Sequence, residues 1–276
     1  MLYKFYSFND NNVSAFEKNS AWFSTPASFN DPFEGIYSRK SCNLTDDESI
    51  KIFRDMYKNE DFKKYIILNE SADEFLTKVY IKNQGYILSE RISRFAIHQL
   101  DNQQKYFHQS GISCFIKDGN GILPYEDQLM WGHYGDGLKG YALVFGDEYF
   151  LFEDENLIVT DVIYKEHPPE IDPIHLLKTY ARGTDTDSAV IEQLRLMSTK
   201  NIKWKYECER RFINYRNGDG LKSFKKGAIS ALIIGSKMPT WQKTALIEIA
   251  KSNNIFNIQE ATTRTDSYKV ELRSLY

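Results

Sequence analysis

Gly111-Ile112-Ser113-Cys114-Phe115-Ile116 decides how the chain is read, because there the spacing of apolar residues changes from helical to strand-like. A glycine opens the run and β-branched and aromatic residues fill it, as a short strand requires. Upstream, Ile50, Phe53 and Met56, then Phe75, Val79 and Ile81, then Ile87, Ile92, Phe95 and Ile97 recur mostly at intervals of three or four. That period places them on one side of successive helices, so a helical insertion is predicted over about 46–108. Downstream, 140–145 and 157–164 repeat the strand signal. Helices are predicted over 171–182 and 187–200, on either side of a polar connector at 183–187. Strands at 208–216 and 229–235, a helix at 240–252 and strands near 255–262 and 267–273 complete the reading. Two further strands, about 2–6 and 21–24, precede the insertion. The sum is an α+β fold with a mixed, largely antiparallel sheet as its core. No fixed-period repeat, low-complexity tract or long Pro/Gly linker divides the 276 residues, so 1–276 is predicted to be a single domain.

Composition sets the compartment and narrows the partners. With 42% hydrophobic and 26% charged residues the chain can bury a sizeable core in water. Its net charge of −3 gives no electrostatic reason for non-specific nucleic-acid binding, although it leaves room for a local basic face. Cys42, Cys114 and Cys208 are odd in number and widely spaced, which suits reduced thiols in the cytoplasm better than disulfides. Cys114 and Cys208 fall in predicted strands and read as small buried apolar residues. Neither a charged-then-apolar leader pattern nor an apolar run of membrane-spanning length occurs, so a cytoplasmic protein with no membrane partner and no disulfide-linked partner is expected.

Two stretches carry candidate chemistry. In 204–212 a period of two would put Lys205, Glu207, Glu209 and Arg211 on one strand face and Trp204, Tyr206, Cys208 and Phe212 on the other. Adjacent carboxylates raise one another's proton affinity unless a cation offsets them, which makes an acid/base pair if they face a cleft. The alternative is an exposed Lys-Glu-Glu-Arg ladder. His133, beside Trp131 and Tyr134 on a predicted short helix, offers a side chain that titrates near neutrality, or a histidine that simply packs and hydrogen-bonds. The glycines that follow, 135, 137 and 140, fit neither a phosphate loop nor a dinucleotide fingerprint, and no Gly-x-Ser-x-Gly elbow occurs. Paired metal-ligand spacings are missing as well, so no metal is predicted. Asp31-Pro32 with Glu34 has the chemistry of a capped helix start or a capped turn.

Leu2-Tyr3-Lys4-Phe5-Tyr6, the segment from Trp22-Phe23-Ser24-Thr25-Pro26 through Phe29-Asn30-Asp31-Pro32-Phe33-Glu34, Met130-Trp131-Gly132-His133-Tyr134, and Trp204 through Arg211 occur in this order over residues 2 to 211. Together they resemble the bacterial family catalogued as domain of unknown function 2971, whose name assigns no chemistry. A second, partial resemblance is to ADP-ribosyltransferases, through a polar aromatic first strand, Phe23-Ser24-Thr25 and Glu207-Cys208-Glu209. It departs from that signature at Tyr6, where relatives of this chain often place Arg, and at Pro26, which replaces the final Ser.

The second resemblance implies NAD as substrate and a nucleotide-sized partner with an unknown acceptor. Glu209 would hold the ribose hydroxyl and stabilise the developing positive charge, and Glu207 would orient or deprotonate the acceptor. Ser24 would support the pocket, and Tyr6 or Lys4 would touch phosphate or ribose. Phe23, Phe29, Asn30, Asp31, Trp131, Tyr134 and Arg211 are the other residues expected around the nucleotide, with His133 as a further acid/base candidate. A toxin or antiphage-defence role is suggested by the type of family. Two alternatives stand beside it: a metal-dependent hydrolase or nuclease assembled from His133, Asp136, Glu207 and Glu209, and a non-catalytic nucleotide- or peptide-binding module with Trp22, Phe29 and Trp131 around its pocket.

Overall fold

The computed structural model describes residues 1–66, 71–82, 84–119, 121–146, 151–181, 194, 198–215 and 218–275. The chain divides into two compact units. The first comprises Met1–Pro32, Gln109–Tyr164 and Lys200–Tyr276, and the second Phe33–His108 and Lys165–Thr199. The helical stretch predicted at 46–108 therefore belongs to a larger unit that also takes in 33–45 and 165–199.

The first unit is built on an eight-stranded sheet. Its strands run in the order Val270–Ser274, Ile258–Thr263, Ile229–Gly235, Tyr141–Phe145, Leu2–Tyr6, Gly111–Lys117, Glu209–Asn214 and Ile158–Asp161. All neighbours are antiparallel except Ile229–Gly235 and Ile258–Thr263, whose parallel pairing is bridged by the helix Thr240–Ser252. A parallel pair needs such a crossover, whereas antiparallel strands need only a turn. The α+β reading, with its largely antiparallel sheet, is what the molecule adopts.

Tyr141–Phe145 is buried at every position, so it reads as a continuous apolar run. Leu2–Tyr6 alternates instead. Leu2 and Tyr6 join the core formed with Phe115, Leu143, Phe212 and Leu246, while Tyr3 and Phe5 join Ala142, Val144, Trp131 and Ile233 on the other face. A separate ribbon pairs Ser20–Phe23 with Gly220–Ser223.

In the second unit, helices Asp46–Met56, Glu60–Ile66, Ala72–Ile81, Gly85–Gln109 and Pro173–Ala181 surround Phe53, Phe62, Ile92, Phe95 and Leu177. Thr45 with Glu48 and Ser71 with Glu74 form reciprocal capping boxes, which fixes two helix starts. His98 stacks on Tyr65 at 5.5 Å and hydrogen-bonds Asn102.

Several sequence expectations are corrected. Of the two readings of Asp31-Pro32, the turn is the one adopted: residues 32–35 form turns and no helix starts there. The connector at 183–187 and most of the helix expected at 187–200 lie outside the described residues, and its last two positions belong to the strand Thr199–Asn201. Residues 204–208 are not strand: Ile202–Glu207 is a 3-10 turn, and Cys208, with φ of 44°, ends it in the left-handed region. Only from Glu209 onward does the period of two hold.

Candidate functional site

A cavity of about 220 Å³ opens within the first unit where two neighbouring strands part. Leu2 and Tyr3 pair with Lys117 and Ile116, and there the pairing of the two strands ends. In the gap the Lys4 ammonium donates to the carbonyl of Cys114 at 2.8 Å and lies 4.9 Å from the centre of the Phe115 ring. Ser24 then bridges to Ile112 through two backbone hydrogen bonds of 3.0 and 2.8 Å, which ties the 20–31 segment across the opening. Pro26 starts a single 3-10 turn with its φ already set, and the segment that follows carries Phe29, Asn30 and Asp31 to the cavity wall.

The opposite wall is a buried ion cluster. Lys200 Nζ lies 2.8 Å from Glu207 Oε2 and 2.7 Å from Glu209 Oε2. Arg211 Nε donates to Glu209 Oε1 at 2.7 Å, the Tyr134 hydroxyl donates to Glu207 Oε1, and the Glu209 amide donates to the Tyr164 hydroxyl at 2.8 Å. Glu207, Glu209 and Arg211 are 2%, 4% and 0% exposed, so each charge must be answered by these partners. The left-handed Cys208 bends the chain between the two glutamates, and both reach the cavity although only one stands on a strand.

The two carboxyls differ in their hold on a proton. For Glu207, burial raises the affinity, and Lys200 only partly offsets burial and the neighbouring Glu209. For Glu209, burial also pushes upward, but Arg211 and Lys200 together outweigh it and hold the carboxyl far below its ordinary range. Lys200 keeps its charge: burial disfavours it, yet Glu209 and Glu207 more than compensate. The Cys114 thiol, also in the cavity wall, is pushed well upward by burial and by Glu209, which disqualifies it as a nucleophile at neutral pH.

Of the residues singled out from sequence, Lys4, Ser24, Phe29, Asn30, Asp31, Tyr134, Glu207 and Glu209 line this cavity. Arg211 stands behind Glu209, with its guanidinium 5.6 Å from the Phe29 ring centre. Phe23 is placed elsewhere: it is fully buried in the apolar core against Phe152, because its neighbour Trp22 takes the cavity side of the ribbon. Trp131 is buried too, its indole N–H donating to the Tyr125 carbonyl at 2.8 Å and its ring edge-on to Phe5. Tyr6 and His133 line an adjoining open groove of about 650 Å³ that shares Lys4, Phe5, Trp22, Ser24 and Tyr134 with the cavity. His133 Nδ1 is engaged with the Tyr206 hydroxyl at 2.9 Å. Among the described residues no group of three or more His, Cys, Asp or Glu side chains could hold a metal ion, so His133 and Asp136 do not complete a site with the glutamates.

Lys200 and Tyr164 are the site residues that the sequence gives no sign of, and Trp204, expected on the face opposite the glutamates, lines the cavity with them. Lys200 carried no local signal beyond the need of two buried carboxylates for a cation. Cys114 stands on the strand Gly111–Lys117 as expected and borders the cavity, whereas Cys208 caps a turn and is not the strand residue expected of it. All three cysteines are free, and among the described residues no helix is long and apolar enough to cross a membrane.

A family described as "Protein of unknown function (DUF2971)" matches residues 130–212, the stretch that holds Trp131 to Tyr134 and Tyr206 to Phe212. The chain is also similar to the tRNA (guanine(10)-N(2))-methyltransferase TRMT11 of Gallus gallus, 33% identical over 95 residues that make up 34% of this chain and 20% of that protein. It therefore spans about a fifth of that relative's length. No solved structure matches the chain.

Proposed function

We propose that the first unit is the catalytic body of an NAD-consuming enzyme that breaks the bond between nicotinamide and ribose and passes ADP-ribose to an acceptor or to water. The observation that carries this reading is a pair of adjacent carboxyls with opposed proton affinities bordering one aromatic-walled cavity. Cleavage of a glycosidic bond builds positive charge on the sugar, and a carboxylate that stays ionised stabilises that charge in a site screened from bulk water. Glu209 is suited to that part. A second carboxyl that binds its proton more tightly is suited to proton transfer with the incoming hydroxyl or amine, and Glu207 fits it. Lys200, Arg211 and Tyr134 would keep the pair oriented, while Phe29, Trp22 and Trp204 offer flat surfaces for a ring. We place this activity in the cytoplasm, where a toxin or defence effector of this kind would deplete the cell's NAD.

A metal-dependent hydrolase is less well supported. Lys200 occupies the space between the two carboxylates, and His133 is turned to Tyr206 in the groove.

The test is mass spectrometry of NAD incubated with the protein, with and without cell extract. Nicotinamide release is expected, with Glu209→Gln slower by at least about 100-fold while its circular dichroism is unchanged. Folded wild-type protein that yields neither nicotinamide nor an ADP-ribose adduct would refute the proposal and leave a binding module in its place, and glutamine variants as fast as the wild type would take the catalytic roles away from Glu207 and Glu209.

A further inference from the structure

We infer that the acceptor is a single-stranded nucleic acid laid over the Ile202–Glu207 turn at the mouth of the cavity. This inference rests on the NAD-consuming reading of the same site.

The turn reads Ile202-Lys203-Trp204-Lys205-Tyr206-Glu207, with bases and aromatics alternating. In a 3-10 helix residues three apart share a side, so Trp204 stands with Glu207 toward the cavity, and Lys203 stands with Tyr206 beside it. The rings form one strip. His133 lies 6.4 Å from Trp204 and 6.0 Å from Tyr206, and Trp204 lies 6.2 Å from Tyr206 at 32° between planes. Lys203, Lys205 and His133 are exposed, and Trp204 and Tyr206 are half-buried. Glu207 and Asp127 are acidic neighbours of this strip, and the Asp127 carboxylate caps the helix Gln128–His133 by accepting from the Leu129 amide at 2.8 Å.

Unstacked bases bind such surfaces by lying on aromatic faces while lysines meet the phosphates. A base pair buries both of its faces in the duplex stack and would find no platform here. The net charge of −3 offers no broad attractive field to any nucleic acid, so recognition falls to this local strip.

Chemically, the C1′–N bond of NAD breaks and its electron pair leaves with neutral nicotinamide. A nitrogen or oxygen of the strand bonds to C1′, and the proton it sheds passes to the Glu207 carboxylate. Redox change is not involved.

The experiment uses the full chain with NAD and labelled oligo(dT), oligo(U) or a duplex of matched length, reading binding by anisotropy and ADP-ribosyl mass gain on the strand. Single strands are expected to bind more tightly than duplex, in a salt-dependent manner, and to gain one ADP-ribosyl group. The Lys203→Glu/Lys205→Glu variant is expected to lose at least about tenfold in strand affinity with nicotinamide release to water unchanged. Nicotinamide release without strand binding or modification would overturn the acceptor inference and leave the NAD reading standing. Lysine-dependent strand binding with no nicotinamide release would instead sink the NAD reading and keep the surface. Equal binding of duplex, or an unaffected double variant, would also overturn the inference.

Discussion

Arg211 is the side chain on which the buried cluster most depends, since it is fully enclosed and meets Glu209 at 2.7 Å. Replacing it with Met leaves Glu209 to share Lys200 with Glu207, and removing one partner of a buried pair typically costs about 3–5 kcal/mol. Urea denaturation of Arg211→Met should show a loss of that order. Acid should act through Glu209. Its carboxyl in the folded protein lies below the ordinary value of 4.5, so the stability it contributes is present above that value and is lost as pH falls toward the lower, folded-state value. The stability gap between wild type and Glu209→Gln should therefore be widest near neutrality and narrow as pH drops below about 4.5. Glu207 has the opposite sign. Its raised affinity means that folding favours the protonated form, and its contribution declines as pH rises through the folded-state value. The two glutamates were legible as neighbours from spacing, but Lys200 was not, because its partnership is set by tertiary placement and not by any local pattern.

At the scale of elements, the Ile202–Glu207 turn and its left-handed end decide where the glutamates go. A left-handed residue other than glycine costs roughly 1–2 kcal/mol, and a β-branched one suffers most. Cys208→Gly should thus hold or raise the melting temperature, whereas Cys208→Val should lose about 1–2 kcal/mol in the same assay and disturb both carboxyls. The alternation of aromatic and charged residues in 204–212 fits a strand and a turn equally well, so periodicity alone could not locate the bend. Strands with stronger constraints were legible. The predicted strand at 229–235 and helix at 240–252 coincide with Ile229–Gly235 and Thr240–Ser252, because burial on both faces and a full helical period leave no competing reading. The parting of Leu2–Tyr6 from Gly111–Lys117, which makes the cavity, leaves no trace in either strand's sequence.

At the scale of the molecule, the sheet of the first unit is held by a block of phenylalanines. Phe115 touches Phe145, Phe152, Phe212 and Phe224 with ring centres 5.1 to 6.5 Å apart, and Lys4 lies over its ring. Phe115→Ala should cost about 3–5 kcal/mol in chemical denaturation, and at concentrations of denaturant where it is still folded its cavity should be loosened. The α+β class followed from counting strand and helix signals. The division into two units did not, because the second unit is assembled from two stretches that interrupt the first, and none of the four boundaries carries a long Pro/Gly linker.

The central claim is that two neighbouring carboxyls in one cavity are held at opposed proton affinities. It is tested most directly by a carbon-13 NMR titration of the glutamate side chains, assigned with Glu207→Gln and Glu209→Gln. One cavity carboxyl should titrate above the ordinary value of 4.5 and the other well below it. Two cavity carboxyls titrating together near 4.5 would contradict the account.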